Sequence, residues 1–356
     1  MAKFVQAIVA CLIGLVIALV MAEVLLRLFQ PQQLSPTEFA DDPDLGHRPK
    51  PGMSGTRTAP GIYEFEYSNN SRGYRGPREF GPKPAGVVRV LCVGDSFTWG
   101  IGVGDDETWP ALLEKNLLSR GRRVEVVNAG SPATATDYAL RLFELDGPLL
   151  EPEIVVLGFY HNDVQGNNQG AVYAVDASGL LRSGKAAASQ GSKMRKLTRF
   201  IPFYDSLGQH SHLFNLLKHQ LVFQLYSARK KSGSVQEVQA EPAKNEGGQE
   251  LEATKWLLSA FADRVMAAGA KPVCLYIPTG AELESFRASG TISREEFVVK
   301  EACERRGMPF LSATEILART AAPVGELYFA EGHWRPAANL FVAPRLADLV
   351  EGLARP

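Results

Sequence analysis

The chain has 356 residues, of which 45% are hydrophobic and 22% are charged, an ordinary composition for a folded protein. Its formal net charge of −1 excludes a general electrostatic attraction to nucleic acid, so we expect no nucleic-acid partner. The four cysteines are too few for a disulfide scaffold, and Cys92 and Cys274 are expected to be buried because they lie in apolar strand patterns.

The amino-terminal end of the chain carries a long apolar stretch. Residues 4–22 are uncharged and match the ~20 residues that a helix needs to cross a bilayer. Lys3 and the amino terminus form a short positive segment, which favours a cytoplasmic location for that end. A cleaved signal peptide is the alternative, with residues 20–22 as a poor cleavage site. We favour a transmembrane anchor over residues 1–29, because the apolar stretch is long for a signal peptide.

Residues 30–86 form a segment rich in proline, glycine and polar residues, which we expect to be an extended lead-in packed along the following domain. From residue 87 onward, apolar strand patterns alternate with helical patterns. This alternation predicts a parallel sheet between layers of helices. Helices are predicted from residue 109, over about 135–145 with a stop at Gly147-Pro148, and over about 336–353. Strands are predicted at about 87–92, 124–127, 154–159, 271–278 and 310–311.

A long insertion, about residues 165–250, separates the third and fourth predicted strands. It contains 11 Lys and Arg residues against six Asp and Glu residues, a net charge of +5. Residues 213–221 have helical spacing of apolar side chains, and residues 232–250 resemble a flexible polar loop. Such an insertion could meet an anionic polymer, but a solvated surface is the interpretation we favour.

Four polar motifs occur where strands end or helices begin. In open parallel sheets, ligands bind outside the carboxyl ends of the strands, so these motifs are candidates for one site. A serine hydroxyl there needs a base to take its proton. His161 and His333 are the two histidines that the predicted topology brings to this edge. The motifs are Gly94-Asp95-Ser96, Val127-Asn128-Ala129-Gly130, Asn162-Asp163 and Glu331-Gly332-His333-Trp334.

In this order, the four motifs resemble the sequence blocks of the SGNH (GDSL) hydrolase family and span residues 94–334. The resemblance implies a three-layer α/β/α sandwich with a flavodoxin-like parallel sheet over residues 87–356. It also implies that Ser96 is the nucleophile and His333 the base. The oxyanion hole would consist of the backbone N–H groups of Ser96 and Gly130 and the side chain of Asn162. No cofactor and no metal ion is expected.

The acid that orients the histidine is the main departure from the family pattern. The family usually supplies an aspartate two or three residues before the histidine, whereas this chain has Ala330 and Glu331. We expect Glu331 to be the third catalytic residue, since glutamate replaces aspartate in some triads. If Glu331 points into solvent, only the Ser96–His333 dyad remains, or the protein is inactive. A second departure is Tyr160, which stands where the family often has glycine.

The resemblance implies a carboxylic ester hydrolase that cleaves acyl esters, such as acetyl esters on carbohydrate, through an acyl-enzyme on Ser96. An exopolysaccharide O-acetyltransferase with the same triad is one alternative, and a catalytically inactive binding or scaffold protein is another. The anchor and the Glu331 block resemble membrane-anchored bacterial proteins that modify exopolysaccharide, and the motif of residues 70–77 resembles a lead-in segment of membrane-anchored family members. They imply a single-pass inner-membrane protein with its catalytic domain in the periplasm and exopolysaccharide assembly proteins as partners.

Overall fold

The computed structural model describes residues 2–32, 34, 38–169, 172–175, 181–183, 202–231 and 247–354. The chain divides into two compact units. The first contains Met1–Glu38, Arg57–Glu64 and Arg195–Pro242, and the second contains Phe39–Thr56, Phe65–Met194 and Ala243–Pro356. The domain boundaries inferred from the sequence stay a prediction.

The second unit is built around a parallel five-stranded sheet. Its strands have the order β6-β5-β7-β10-β11, which is the flavodoxin-like order 2-1-3-4-5 when these strands are counted along the chain. The predicted fold is therefore confirmed. The described strands are β1 (Phe39–Asp42), β2 (Gly46–Pro49), β3 (Ser54–Ala59), β4 (Tyr63–Ser68), β5 (Val88–Gly94), β6 (Val124–Asn128), β7 (Ile154–Tyr160), β8 (Tyr173–Val175), β9 (Leu181–Ser183), β10 (Lys271–Ile277) and β11 (Phe310–Ser312).

The helices of the described residues surround this sheet or belong to the first unit. They are α1 (Ala2–Phe29), α2 (Ser96–Trp99), α3 (Trp109–Ser119), α4 (Thr136–Leu150), α5 (Asn162–Gln169), α6 (Tyr204–His210), α7 (His212–Lys231), α8 (Gly247–Ala267), α9 (Gly280–Ser289), α10 (Arg294–Arg305), α11 (Ala313–Ala318), α12 (Val324–Leu327) and α13 (Pro336–Ala354).

Both faces of the sheet are buried, each in its own hydrophobic core. Because successive side chains of a strand point to opposite faces, Leu91 and Val155 belong to one core while Val90 and Ile154 belong to the other. Residues of α4, α8 and α10 complete the first core, and residues of α3, α11 and α13 complete the second. These two helix layers explain why the central strands are continuous apolar runs in the sequence.

Helix α4 is longer than the sequence pattern predicts. The predicted stop at Gly147-Pro148 is wrong, because both residues lie inside the helix. Pro148 lies in the last turn, and the residue before it is Gly147, which has no Cβ atom to clash with the proline ring in a helical conformation. A Cβ atom at position 147 would lie 2.8 Å from the Phe143 ring, so glycine permits close packing of that ring on the helix. The last residue of the helix is Leu150. The N–H of the next residue, Glu151, donates to the Gly147 carbonyl at 2.9 Å.

The lead-in segment contains more regular structure than the predicted extended chain. Strands β1 and β2 pair antiparallel, and β3 and β4 form a second two-stranded sheet. The predicted flexible loop of residues 232–250 is partly wrong, because residues 247–250 form the first turn of α8. The rest of that predicted loop lies outside the described residues.

The first unit contains helices α1, α6 and α7. Helix α1 is long and apolar enough to cross a membrane, and none of its residues is buried. Helix α7 includes residues 213–221, for which the sequence predicts a helix, and that prediction is confirmed.

Candidate active site

Ser96 lies where the central strand β5 ends. Gly94 is the last residue of the strand, and Asp95 alone leads into helix α2, of which Ser96 is the first residue. The Asp95 carboxylate caps this short helix by accepting the Phe97 N–H at 2.9 Å. The carboxyl end of β5 therefore holds the Ser96 hydroxyl in one position, at the edge where parallel sheets bind ligands.

His333 and Glu331 approach Ser96 from a loop near the carboxyl end of the chain. The His333 Nε2 atom lies 2.8 Å from Ser96 Oγ, and its Nδ1 atom lies 3.0 Å from Glu331 Oε1. The structure thus brings the three residues predicted as catalytic into one chain of hydrogen bonds. A dyad with Glu331 in solvent is not the observed arrangement.

The loop geometry explains how a glutamate reaches the histidine from only two residues away. Gly332 separates them at a φ of 106°, a conformation that side chains other than glycine rarely adopt. The Phe329 N–H donates to the His333 carbonyl at 2.8 Å and closes the turn. The Glu331 side chain consequently folds back on the imidazole ring.

The charge of Glu331 is favoured by this pairing. Partial burial opposes ionisation, but the hydrogen bond and the charge of His333 outweigh it and lower the pKa of Glu331 below its usual value. Glu331 is therefore a carboxylate at neutral pH. A carboxylate on Nδ1 holds the tautomer in which Nε2 can accept a proton from Ser96.

An aromatic wall supports the imidazole ring. The Phe97 ring lies 5.0 Å from the His333 ring, 4.2 Å from the Tyr160 ring and 5.7 Å from the Trp334 ring, measured between centroids. The tyrosine that departs from the family pattern thus belongs to this wall. The other candidate histidine, His161, is 48% exposed and has a carboxylate oxygen of Glu282 3.8 Å from its Nδ1 atom.

The residues predicted as oxyanion donors follow three neighbouring strands. Ser96 follows β5, Gly130 follows β6 and Asn162 follows β7. A Cβ atom at position 130 would lie 2.3 Å from the backbone nitrogen of Trp99, so only glycine allows this loop to approach α2 so closely. The Gly130 N–H already donates to the side-chain oxygen of Asn128 at 3.1 Å. An oxyanion in this site would therefore share the Gly130 N–H with the Asn128 oxygen or replace that oxygen as its acceptor.

Two buried carboxyl groups lie behind the predicted oxyanion donors. Burial raises the pKa of Asp95 to about 6, although the Phe97 N–H, the charge of His333 and the Asn162 side chain oppose the shift. Burial and the neighbouring charge of Asp95 raise the pKa of Asp163 well above its usual value. Each carboxyl group has one buried oxygen without a hydrogen-bond partner. Because two adjacent charges in the interior are costly, the pair favours retention of a proton.

Sequence reasoning missed the function of Arg75, which lies in the lead-in motif of residues 70–77. Its guanidinium group is buried, pairs with Asp105 and lies 4.1 Å from the Trp99 ring centroid. It also donates to the carbonyl groups of Trp99, Gly100 and Val103, at 3.3, 3.3 and 2.8 Å. We call these contacts the Arg75 clamp. The clamp fixes the chain that leaves helix α2 directly after Ser96.

One group of potential metal ligands occurs among the described residues. Ligand atoms of His161, Glu282 and Glu295 all lie within 4.8 Å of one another. The carboxylate of Glu282 is already used, because it accepts the Tyr276 hydroxyl and the Thr279 N–H, both at 2.8 Å. A metal ion would therefore compete with the cap of helix α9, and we assign no metal to this group.

Several solved structures are similar to this chain at low sequence identity. An α/β hydrolase enzyme from the metagenome of Lake Arreo, Spain, is 15% identical with a TM-score of 0.43, covering 79% of this chain and 100% of its own. The lipase/acylhydrolase from Enterococcus faecalis is 13% identical with a TM-score of 0.42, covering 76% and 98%. A mutant acetyl-xylooligosaccharide esterase from Geobacillus is 13% identical with a TM-score of 0.42, covering 78% and 97%. At such identities the likeness concerns the fold alone.

The sequence itself carries the assignment to a family. No curated protein matches the chain. The model of the GDSL-like lipase/acylhydrolase family matches residues 92–339, which is more than half of the chain. The match includes Ser96, His333 and all the residues predicted as oxyanion donors. The chain therefore belongs to the GDSL-like lipase/acylhydrolase family.

Proposed function

We propose that the protein is a serine esterase that hydrolyses acyl esters through an acyl-enzyme on Ser96, with His333 and Glu331 as the other catalytic residues. The observation that carries the proposal is the continuous set of hydrogen bonds from Glu331 through His333 to Ser96 Oγ, at 3.0 and 2.8 Å. Such a set is what a serine needs to become a nucleophile near neutral pH.

In the first half of the reaction, Ser96 Oγ attacks the ester carbonyl while His333 Nε2 takes the hydroxyl proton. The negative charge on the former carbonyl oxygen would be stabilised by the N–H groups of Ser96 and Gly130 and by the Asn162 amide. When the bond between the carbonyl carbon and the alcohol oxygen breaks, the imidazolium returns its proton to the departing alcohol. The acyl group is then esterified to Ser96.

In the second half, His333 takes a proton from water as the water oxygen attacks the acyl carbon. Collapse of the second tetrahedral intermediate breaks the bond to Ser96 Oγ, which recovers the proton from His333. The carboxylic acid is released and the enzyme regains its first state. Throughout both halves, the Glu331 carboxylate would stabilise the positive imidazole ring.

We propose a small acyl group, acetyl in the first instance, carried on carbohydrate. This part of the proposal is supported by the resemblance of the Glu331-Gly332-His333-Trp334 block and of the anchor to proteins that modify exopolysaccharide. If a sugar hydroxyl replaced water in the second half, the same residues would catalyse acetyl transfer. The two outcomes differ in whether an added polysaccharide becomes acetylated.

The proposal is tested with the full chain in detergent, p-nitrophenyl acetate as substrate and a fluorophosphonate probe as label. Ser96→Ala is expected to abolish both turnover and labelling, while Ser131→Ala, a buried serine in a neighbouring loop, leaves the label in place. Circular dichroism shows whether each variant is folded. Labelling of folded Ser96→Ala at the wild-type level would refute the nucleophile.

We also propose that α1 anchors the protein in the bacterial inner membrane, with the catalytic domain in the periplasm. The uncharged stretch of residues 4–22 and the positive amino-terminal end support this orientation. A reporter that works only after export, fused behind residue 356, should be active. The protein should also remain with membranes after a carbonate wash. A soluble product with a new amino terminus near Glu23 would instead indicate a cleaved signal peptide.

A further inference from the structure

The end of α1 is joined to helix α7 by a group of polar contacts. The Glu23 carboxylate accepts hydrogen bonds from the N–H groups of His212 and Leu213, both at 2.9 Å, and from the Ser211 hydroxyl at 2.8 Å. An acidic group at a helix amino terminus satisfies free N–H groups and interacts favourably with the helix dipole. Glu23 is thus the amino-terminal cap of α7, although almost 190 residues separate them in the chain.

Two further contacts hold the same junction together. Arg27, which pairs with Glu23 at 2.8 Å, donates to the His210 carbonyl. On the far side, the Gln32 N–H donates to the Nδ1 atom of His212 at 2.8 Å. Because α1 rises ~1.5 Å per residue, Glu23 lies one short step beyond the uncharged stretch that ends at residue 22. Whatever is bound to Glu23 therefore sits at the boundary of the bilayer that α1 would cross.

Next to this junction, the first unit exposes large apolar side chains in pairs. Leu217 and Leu221 are 59% and 56% exposed, and they lie on one face of α7 because they are four residues apart. Phe203, which directly precedes α6, and Leu207 within that helix are also exposed, by 81% and 36%. Exposed large apolar side chains on one helix face are candidates for contact with a membrane or another protein.

The charge of the same helix matches a negatively charged surface. Helix α7 contains Lys218, Arg229, Lys230 and Lys231 and has no aspartate or glutamate. A helix with exposed leucines and a basic sequence is typical of helices that lie in the plane of a membrane interface.

We propose that residues 203–221 lie in the headgroup region of the membrane that α1 crosses, with Leu217 and Leu221 among the acyl chains of anionic phospholipids. This inference rests on the anchor part of the proposed function and is independent of the esterase activity. The Glu23 cap sets the depth of α7, the exposed apolar side chains enter the lipid, and the basic composition of α7 favours anionic headgroups. We call the exposed surface of residues 203–221 the α7 membrane face.

The test measures the depth of spin labels on the full chain in phosphatidylglycerol-containing nanodiscs. Native Cys11 is exposed on α1 and reports on the anchor, while the other three cysteines are buried. Labels at Leu217→Cys and Leu221→Cys, in a Cys11→Ser background, report on the α7 membrane face. His219→Cys is the matched control, because a residue two positions away points to nearly the opposite side of the helix.

Oxygen concentrates in lipid, whereas a nickel chelate stays in water. The ratio of oxygen to nickel collision rates should exceed one at positions 217 and 221 and fall below one at position 219. Replacing phosphatidylglycerol with phosphatidylcholine should reduce the ratio at 217 but leave it unchanged at Cys11.

Three outcomes would overturn the proposal. Nickel access at 217 equal to that at 219, with Cys11 still in lipid, would mean that the anchor is correct and that α7 faces water. Low access of both reagents at 217 would mean that protein covers the face. Nickel access at Cys11 would refute the anchor and, with it, the α7 membrane face. Esterase activity, measured on the same samples, decides the catalytic proposal separately.

Discussion

Substitution of Glu331 by glutamine removes one charge from the site and almost no volume. The carboxylate lies 3.0 Å from His333 Nδ1, and the two side chains are 27% and 22% exposed. A pair of unit charges ~4 Å apart interacts by about 4 kcal/mol in a partly buried environment and about 1 kcal/mol in bulk water. The exposure of the Glu331–His333 pair lies between these two environments. We therefore expect a loss of about 2–4 kcal/mol of transition-state stabilisation, which lowers kcat by roughly 30- to 1,000-fold.

The assay is steady-state hydrolysis of p-nitrophenyl acetate by the full chain in detergent. KM should change little, since the imidazolium exists only after attack has begun. Glu331→Asp keeps the charge and should retain most of the activity. Glu326→Gln is the matched control, because Glu326 is an exposed acid in the preceding helix α12 and should turn over like the wild type.

The result that would refute this reasoning is a Glu331→Gln enzyme with a kcat within twofold of the wild type. The observed pairing would then be a structural contact only, and the catalytic set would shrink to Ser96 and His333. A large rise in KM at unchanged kcat would also contradict it, because Glu331 would then be binding substrate rather than stabilising the histidine.

The remaining predictions concern the framework of the site. Arg75→Ala should lower the free energy of unfolding by about 3–5 kcal/mol in urea titrations, because it leaves three carbonyl groups without their donor and leaves Asp105 with only its hydrogen bonds from Ser68. Arg72→Ala, at an exposed position of the same motif, should cost under about 0.5 kcal/mol, and equal losses would refute the clamp. Gly130→Ala should destabilise the fold by about 1–3 kcal/mol and reduce kcat, since its Cβ atom would clash 2.3 Å from a backbone nitrogen; an unaffected enzyme would contradict this. The raised pKa of Asp95, about 6 against an ordinary 3.8, means that the folded state holds the extra proton, so stability falls as pH rises through that interval. The difference in unfolding free energy between Asp95→Asn and the wild type should therefore shift in favour of the variant from about pH 4 to about pH 7, by up to about 3 kcal/mol in urea titrations. An equal difference at both pH values would contradict the raised pKa.

The sequence predicted the central sheet well, because buried parallel strands leave a continuous apolar run such as residues 154–159. It also brought Ser96 and His333 to one edge, because the polar motifs stand at strand ends. The direction of the Glu331 side chain was harder to predict, because it depends on the φ angle of Gly332. A glycine between an acid and a histidine is the signal that could have predicted that turn.

Other features of the structure could not be predicted from the sequence. The Arg75 clamp binds backbone carbonyl groups, which every residue type carries, so its partners cannot be identified from side-chain patterns. The Glu23 cap joins helices that are remote in the chain, and only the folded structure brings them together. The stop at Gly147-Pro148 was wrong because the residue before the proline is a glycine, which lacks the Cβ atom that would otherwise disfavour the helical conformation there.

The Arg75 clamp also decides where a shortened gene can begin. The apolar pattern suggests a cut just ahead of β5, since the regular alternation of strands and helices starts there. A chain beginning at residue 87 would lack Arg75, and the carbonyl groups of Trp99, Gly100 and Val103 would face the interior without a donor. A soluble fragment for crystallisation or inhibitor screening should therefore start ahead of β1, so that Arg75 still donates to these three carbonyl groups near Ser96.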